Sequence, residues 1–87
     1  MMKDILDKES LQKLISNRIK TIRQEKNISQ SELGALCNFE KSNMSRIESG
    51  RMSPSLITLY RISVALDVEF SELFEFNKVE NPSTIKK

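Results

Sequence analysis

The chain has 87 residues, 38% of them hydrophobic, with only two glycines and two prolines, a size that allows one small core and no second domain. One cysteine and no histidine exclude an internal disulfide and the usual zinc ligand sets, so neither a metal nor a cofactor is expected. The net charge of +2 is too small to name a partner, but residues 1–66 hold 11 Lys/Arg against 7 Asp/Glu while residues 67–87 hold 3 against 5, so any phosphate-facing surface belongs in the first two thirds.

The apolar runs are far shorter than the roughly 20 residues a membrane span needs, and no signal-like block opens the chain. A soluble, cytoplasmic protein without membrane contact is the expectation. Strand-type alternation is absent and apolar residues recur at helical intervals, which predicts an all-α fold.

Residues 1–9 fit no helical stripe and read as a separate arm or turn carrying the apolar Ile5 and Leu6. From Leu11, the residues Leu14, Ile15, Ile19 and Ile22 step at intervals of three and four, the stripe of a first amphipathic helix capped by Asp7 or Ser10 and stopped at Asn27. Ser29 followed by Glu32 forms a capping box, so a second helix starts at Gln30. Leu33 and Leu36 are its expected buried face, with Cys37 beside them as a small apolar residue and Gly34 and Ala35 admitting a neighbouring helix. Asn38 then tolerates the left-handed conformation of a tight turn, and Phe39 anchors it.

A third helix spans residues 41–49, with Met44 and Ile47 inward, Gly50 as its stop, and Lys41, Ser42, Asn43, Ser45 and Arg46 outward. A fourth starts at Pro54 or Ser55 and ends at Asp67, its inner stripe being Leu56, Leu59, Ile62, Ala65 and Leu66. Val68, Phe70, Leu73 and Phe74 indicate a short fifth helix, and residues 77–87 read as a polar tail. The expected organisation is an arm over 1–9, a domain over 10–76 and a tail over 77–87.

On Arg23, Ser29-Gln30, Leu33, Leu36, Phe39, Met44, Ser45, Ile47, Glu48, Gly50, Pro54-Ser55, Leu59, Ile62, Ala65-Leu66, Val68 and Leu73, the chain resembles the lambda-repressor-like (Xre- and Cro-type) helix-turn-helix family. The resemblance covers about residues 16–76 and departs from the family at Asn38, where a glycine is usual, and at Glu40, where a small cap such as Ser or Thr is usual. It implies a five-helix domain with the helix-turn-helix at helices 2 and 3. It also implies sequence-specific binding of double-stranded DNA by a transcriptional regulator of bacterial or phage type, a repressor by default.

In that family the start of helix 3 points at base edges, which implies base reading by Lys41, Ser42 and Asn43, with Arg46 one turn further on. The chemistry suits the role: Lys and Arg donate to guanine O6 and N7, and Asn pairs with adenine N6 and N7. Gln30 matches the family's phosphate-binding glutamine. Ser45, Arg51, Ser53 and Arg18 or Lys20 are further phosphate candidates, although for Arg51 and Arg18 a plain solvated charge fits equally well. Arg23 and Glu48 are implied to form a structural ion pair between helix 1 and the end of helix 3.

One short helix reads only a few base pairs, so a homodimer on an inverted repeat is expected. Phe70 and Phe76 are its candidate contacts, with Ile5 and Leu6 as an alternative, while Leu73 and Phe74 are assigned to the core. An alternative reading makes a protein partner primary, as in the antitoxin of a toxin–antitoxin pair or the controller of a restriction-modification system. A polymerase contact would use Glu32 or Glu40. With no histidine, no phosphate-cradling glycine loop and no paired nucleophile and base, an enzyme is not expected.

Overall fold

The computed structural model of the chain describes residues 6–76. Among them are four α-helices, α1 (Lys8–Glu25), α2 (Gln30–Leu36), α3 (Lys41–Glu48) and α4 (Leu56–Leu66), followed by a 3-10 segment over Phe70–Phe74. The fifth helix expected from the sequence is therefore a single tight turn: five residues between Glu69 and Glu75 leave no room for an α-helical ladder to propagate. Ile5 and the tail over 77–87 lie outside the described residues.

Helix starts follow side-chain chemistry. The Asp7 carboxylate accepts from the Ser10 amide at 2.8 Å, which holds its carboxyl below the usual range and makes Lys8 and Glu9 the first turn of α1 rather than part of an arm. Ser29 and Glu32 form the reciprocal capping box at 3.0 and 2.8 Å, and the Ser55 hydroxyl accepts from the Thr58 amide at the start of α4. Glu40 sits at the cap of α3 without a side-chain capping bond, as its departure from the family pattern implies.

All four helices stop in the same way. Asn27, Asn38, Gly50 and Asp67 each adopt positive φ, between 58° and 81°. In each case the next amide bonds back across the last turn, as Ile28 N to Arg23 O, Phe39 N to Gly34 O, Arg51 N to Arg46 O and Val68 N to Ser63 O. These are Schellman stops, and they reverse the chain within two residues. An alanine at Asn38 would meet the left-handed penalty of about 1–2 kcal/mol, so Asn38→Ala should lower the urea midpoint while Asn38→Gly preserves it. Equal midpoints for the two variants would remove this role.

The core joins every element: Ile19 and Ile22 from α1, Leu33 and Cys37 from α2 and its cap, Met44 and Ile47 from α3, Leu59, Ile62 and Leu66 from α4, and Leu73 from the 3-10 turn. Burial pushes the Cys37 thiol up, in keeping with a packing role. Three assignments from the stripe pattern are corrected. Leu36 and Leu56 face outward, and Phe74 is partly exposed rather than core. Gly34 does face α3, where an added Cβ would stand 3.6 Å from that of Met44, whereas Ala35 faces away from the core.

Candidate nucleic-acid interface

Helix α3 crosses the molecule with Met44 and Ile47 in the core and its opposite face bare. Ser42, Ser45, Arg46 and Ser49 are exposed and Asn43 is half-buried, and no acidic side chain lies among them. The Arg46 Nη1 donates to Asn43 Oδ1 at 3.2 Å, so the two long polar side chains share one turn and project together. Lys41 opens the helix. Gln30 at the first position of α2 lies beside Ser31, Ser42 and Ser45 around a depression where α2 meets α3.

Gln30 is also tied to a buried ion pair. The Glu48 carboxylate accepts from Arg23 Nε at 2.7 Å and Arg23 Nη2 at 3.0 Å, and also from Gln30 Nε2 at 3.1 Å. Arg23 Nη1 donates in addition to Ile28 O at 2.8 Å. One carboxylate with a side chain only 2% exposed thereby ties α1, the α1–α2 turn, the start of α2 and the end of α3. One amide hydrogen of Gln30 is committed to Glu48, and the other remains for an external acceptor.

A second brace runs along α1. The Ser16 hydroxyl lies 2.6 Å from Ile47 O and 2.7 Å from Gln12 O, and donates to one of them at a time. Gln12 Nε2 donates to Gly50 O at 3.0 Å. These bonds tie α1 to the carbonyl of Ile47, which also accepts from the Gly50 amide at 3.2 Å, and to that of Gly50 just past the end of α3. Arg51 and Ser53 follow as exposed residues of the α3–α4 loop.

Arg18 does not belong with them. It is buried, and its Nε donates to Glu72 O at 2.7 Å, so it fastens the 3-10 turn to α1 instead of reaching a phosphate. Lys20 is exposed on α1. The aromatic candidates also divide: Phe70 packs against the core and stacks edge-on with Tyr60 at 6.1 Å and with Phe74 at 5.2 Å. Phe76 is half-buried and Leu6 exposed.

The stripe pattern missed a second face on α4. Leu56, Ile57, Tyr60 and Val64 are between 55% and 66% exposed, and their positions fall within about a third of a turn of one another, nearly opposite Leu59, Ile62 and Leu66. The signal was available, because LITLYRISVAL has only three polar residues and a helix apolar on both sides needs cover on both sides. Leu36 extends this patch across a groove that Tyr60, Val64 and Ala65 line from the α4 side.

No helix among the described residues is long and apolar enough to cross a membrane. The helix-turn-helix family model matches residues 19–73, from the middle of α1 to the 3-10 turn. The chain is 36% identical over 63 residues to an uncharacterized HTH-type transcriptional regulator, y4dJ, of Sinorhizobium fredii, covering 72% of this chain and 82% of that one. It is 37% identical over 59 residues to the control protein C.MunI of a Mycoplasma species, covering 67% of this chain and 80% of that one. The crystal structure of the restriction-modification controller protein C.AhdI from Aeromonas hydrophila superposes with a TM-score of 0.72 at 29% identity, over 75% of this chain and 98% of that one. The chain belongs to the helix-turn-helix family of lambda-repressor-like transcriptional regulators.

Proposed function

We propose that the chain binds double-stranded DNA sequence-specifically as a homodimer on an inverted-repeat operator, with α2 and α3 as the helix-turn-helix and α3 in the major groove, and that it acts as a repressor. The observation that carries this reading is the outward face of α3, which is polar and basic, free of carboxylates, and held by the bonds from Glu48, Ser16 and Gln12. A helix fits the major groove, where every base pair shows its own donor and acceptor pattern. Lys41, Ser42, Asn43 and Arg46 read bases there. Gln30, Ser45, Arg51 and Ser53 meet phosphates, which set position rather than sequence.

Two copies join through the outer face of α4, with Phe70 at its edge. Supporting this are the exposed apolar residues Leu56, Ile57, Tyr60 and Val64, which outnumber those at Leu6 and Phe76. A two-fold axis beside α4 would bring each residue of the patch against the same patch of the partner, and the two readers would sit about 34 Å apart on half-sites one turn apart.

The test is binding to the DNA upstream of the protein's own gene against scrambled DNA over a salt series. Specific binding should exceed non-specific binding by a factor of about 10³ or more. Arg46→Ala should cost about 1–3 kcal/mol and relax preference at one base position. Equal affinity for both DNAs at every salt concentration would end the proposal. A second reading, the controller of a restriction-modification system, is favoured by the likeness to two control proteins. It requires a methylase or endonuclease gene beside this one.

A further inference from the structure

The reading stripe of α3 does not stop at the end of the helix. Ser42, Arg46 and Ser49 follow one another at four- and three-residue steps, so they lie on one line along its outer face. From Ser42 to Ser49 the line is about 10 Å long, roughly three base steps on a DNA strand. Beyond Ser49 it enters a groove between the first two turns of α1 and the α3–α4 loop, where Lys8, Lys13 and Arg51 are exposed around Gln12 and Gly50. One carboxylate, Glu9, lines the same groove.

The two walls are joined. Gln12 holds Gly50 O at 3.0 Å, the Lys13 stem stands 3.6 Å from where a Cβ on Gly50 would be, and the amides of Arg51 and Met52 both return to Arg46 O, at 3.0 and 3.2 Å. These bonds link the last turn of α3, the loop and α1. They set where the α1 backbone at Lys8 and Lys13 stands beside the end of α3.

We infer that this groove is a second contact with the DNA phosphodiester backbone, in which Lys8 and Lys13 of α1 join Arg51 of the loop on the strand flanking the bases read by α3. The inference rests on the DNA-binding reading above and adds α1 to it. Lysine supplies a mobile point charge, suited to a phosphate whose position shifts with sequence. Such contacts raise affinity on all sequences alike and carry no base preference. Glu9 opposes them, and its place in the groove gives the inference a test of sign.

The test uses the full chain with two duplexes, its own upstream DNA and a random-sequence duplex, each titrated across a salt series. Lys8→Gln and Lys13→Gln exchange residues of similar helix preference at exposed sites, so thermal melting should be unchanged. Each should reduce the slope of log affinity against log salt by about 1 per protomer, equally on both duplexes. Glu9→Gln should strengthen binding to both duplexes, most at low salt. Arg46→Ala, in contrast, should weaken binding to the upstream DNA more than to the random duplex, because it removes a base contact as well as a charge. Unaltered slope and affinity in the two lysine variants, while Arg46→Ala still reduces the preference for the upstream DNA, would overturn the groove and leave the reading helix standing. Absence of DNA binding by the unaltered chain would overturn both.

Discussion

Glu48→Ala is expected to lower the unfolding free energy by about 3–5 kcal/mol, the usual cost of removing one partner from a buried ion pair. The geometry makes the full cost apply. Arg23 meets Glu48 through two nitrogens at 2.7 and 3.0 Å, and the two side chains are only 11% and 2% exposed. Without the carboxylate, the guanidinium keeps one bond, to Ile28 O, and stays out of water with its charge unanswered. Gln30 loses its partner in the same step. A single domain is stable by about 5–15 kcal/mol in total, so the variant sits near its unfolding threshold, and any loss of DNA binding must be read against its folded fraction.

Urea unfolding of Glu48→Ala, Arg23→Ala and the double variant Arg23→Met with Glu48→Leu measures this directly. Both single variants should be strongly destabilised, while the double variant should recover much of the loss, because replacing a buried pair with apolar groups removes the desolvation cost of both charges. A loss below about 1 kcal/mol in the single variants would equate the pair with an exposed one. The expected pattern also separates scaffolding from reading: Arg46→Ala, on the bare face of α3, should leave the urea midpoint in place.

Much of the fold was legible because it depends on local rules. Ser29 with Glu32 marked the start of α2, and Asn27, Asn38, Gly50 and Asp67 marked four helix ends, since each choice is decided within one turn of backbone. What needed the structure depends on which side of a helix meets which neighbour. Leu36 and Cys37 are adjacent in the sequence and point about 100° apart. In a seven-residue helix, Leu33, Gly34 and Cys37 take the inner face and leave Leu36 outside.

Arg18 was misread for a related reason. Its charge suggested a surface, yet its position three after Ile15 and four before Ile22 places it on the buried stripe of α1. There the Glu72 carbonyl receives its Nε. The candidate reading face was legible in its residue types, and the bonds that fix it were not: Gln30 to Glu48 and Gln12 to Gly50 link positions 18 and 38 residues apart.

The joint variant Tyr60→Glu with Val64→Glu should leave the protein folded and monomeric, and should weaken binding to an inverted-repeat duplex by about 10²–10⁴, the factor that two linked readers gain over one. Both positions are more than half exposed in the single chain, so the substitutions remove little core: Val64→Glu should shift stability by no more than about 0.5 kcal/mol, and Tyr60→Glu by about 0.5–1.5 kcal/mol through its edge-on contact with Phe70. In a two-fold dimer packed on α4 the same changes place four carboxylates in one apolar contact, where like charges cannot be hydrated. Sedimentation and salt-dependent titration on full and half operators test the two effects together. The variant should bind a half operator as well as the unaltered chain does, because the faces of α3 and of the loop are untouched. A variant that remains dimeric with full affinity would move the contact away from α4, and Phe76→Ala would then decide whether it lies at the chain's C-terminal aromatic instead. Loss of half-operator binding as well would mean that α4 supports the reader itself, because Tyr60 stacks on Phe70 and Phe70 packs against the core.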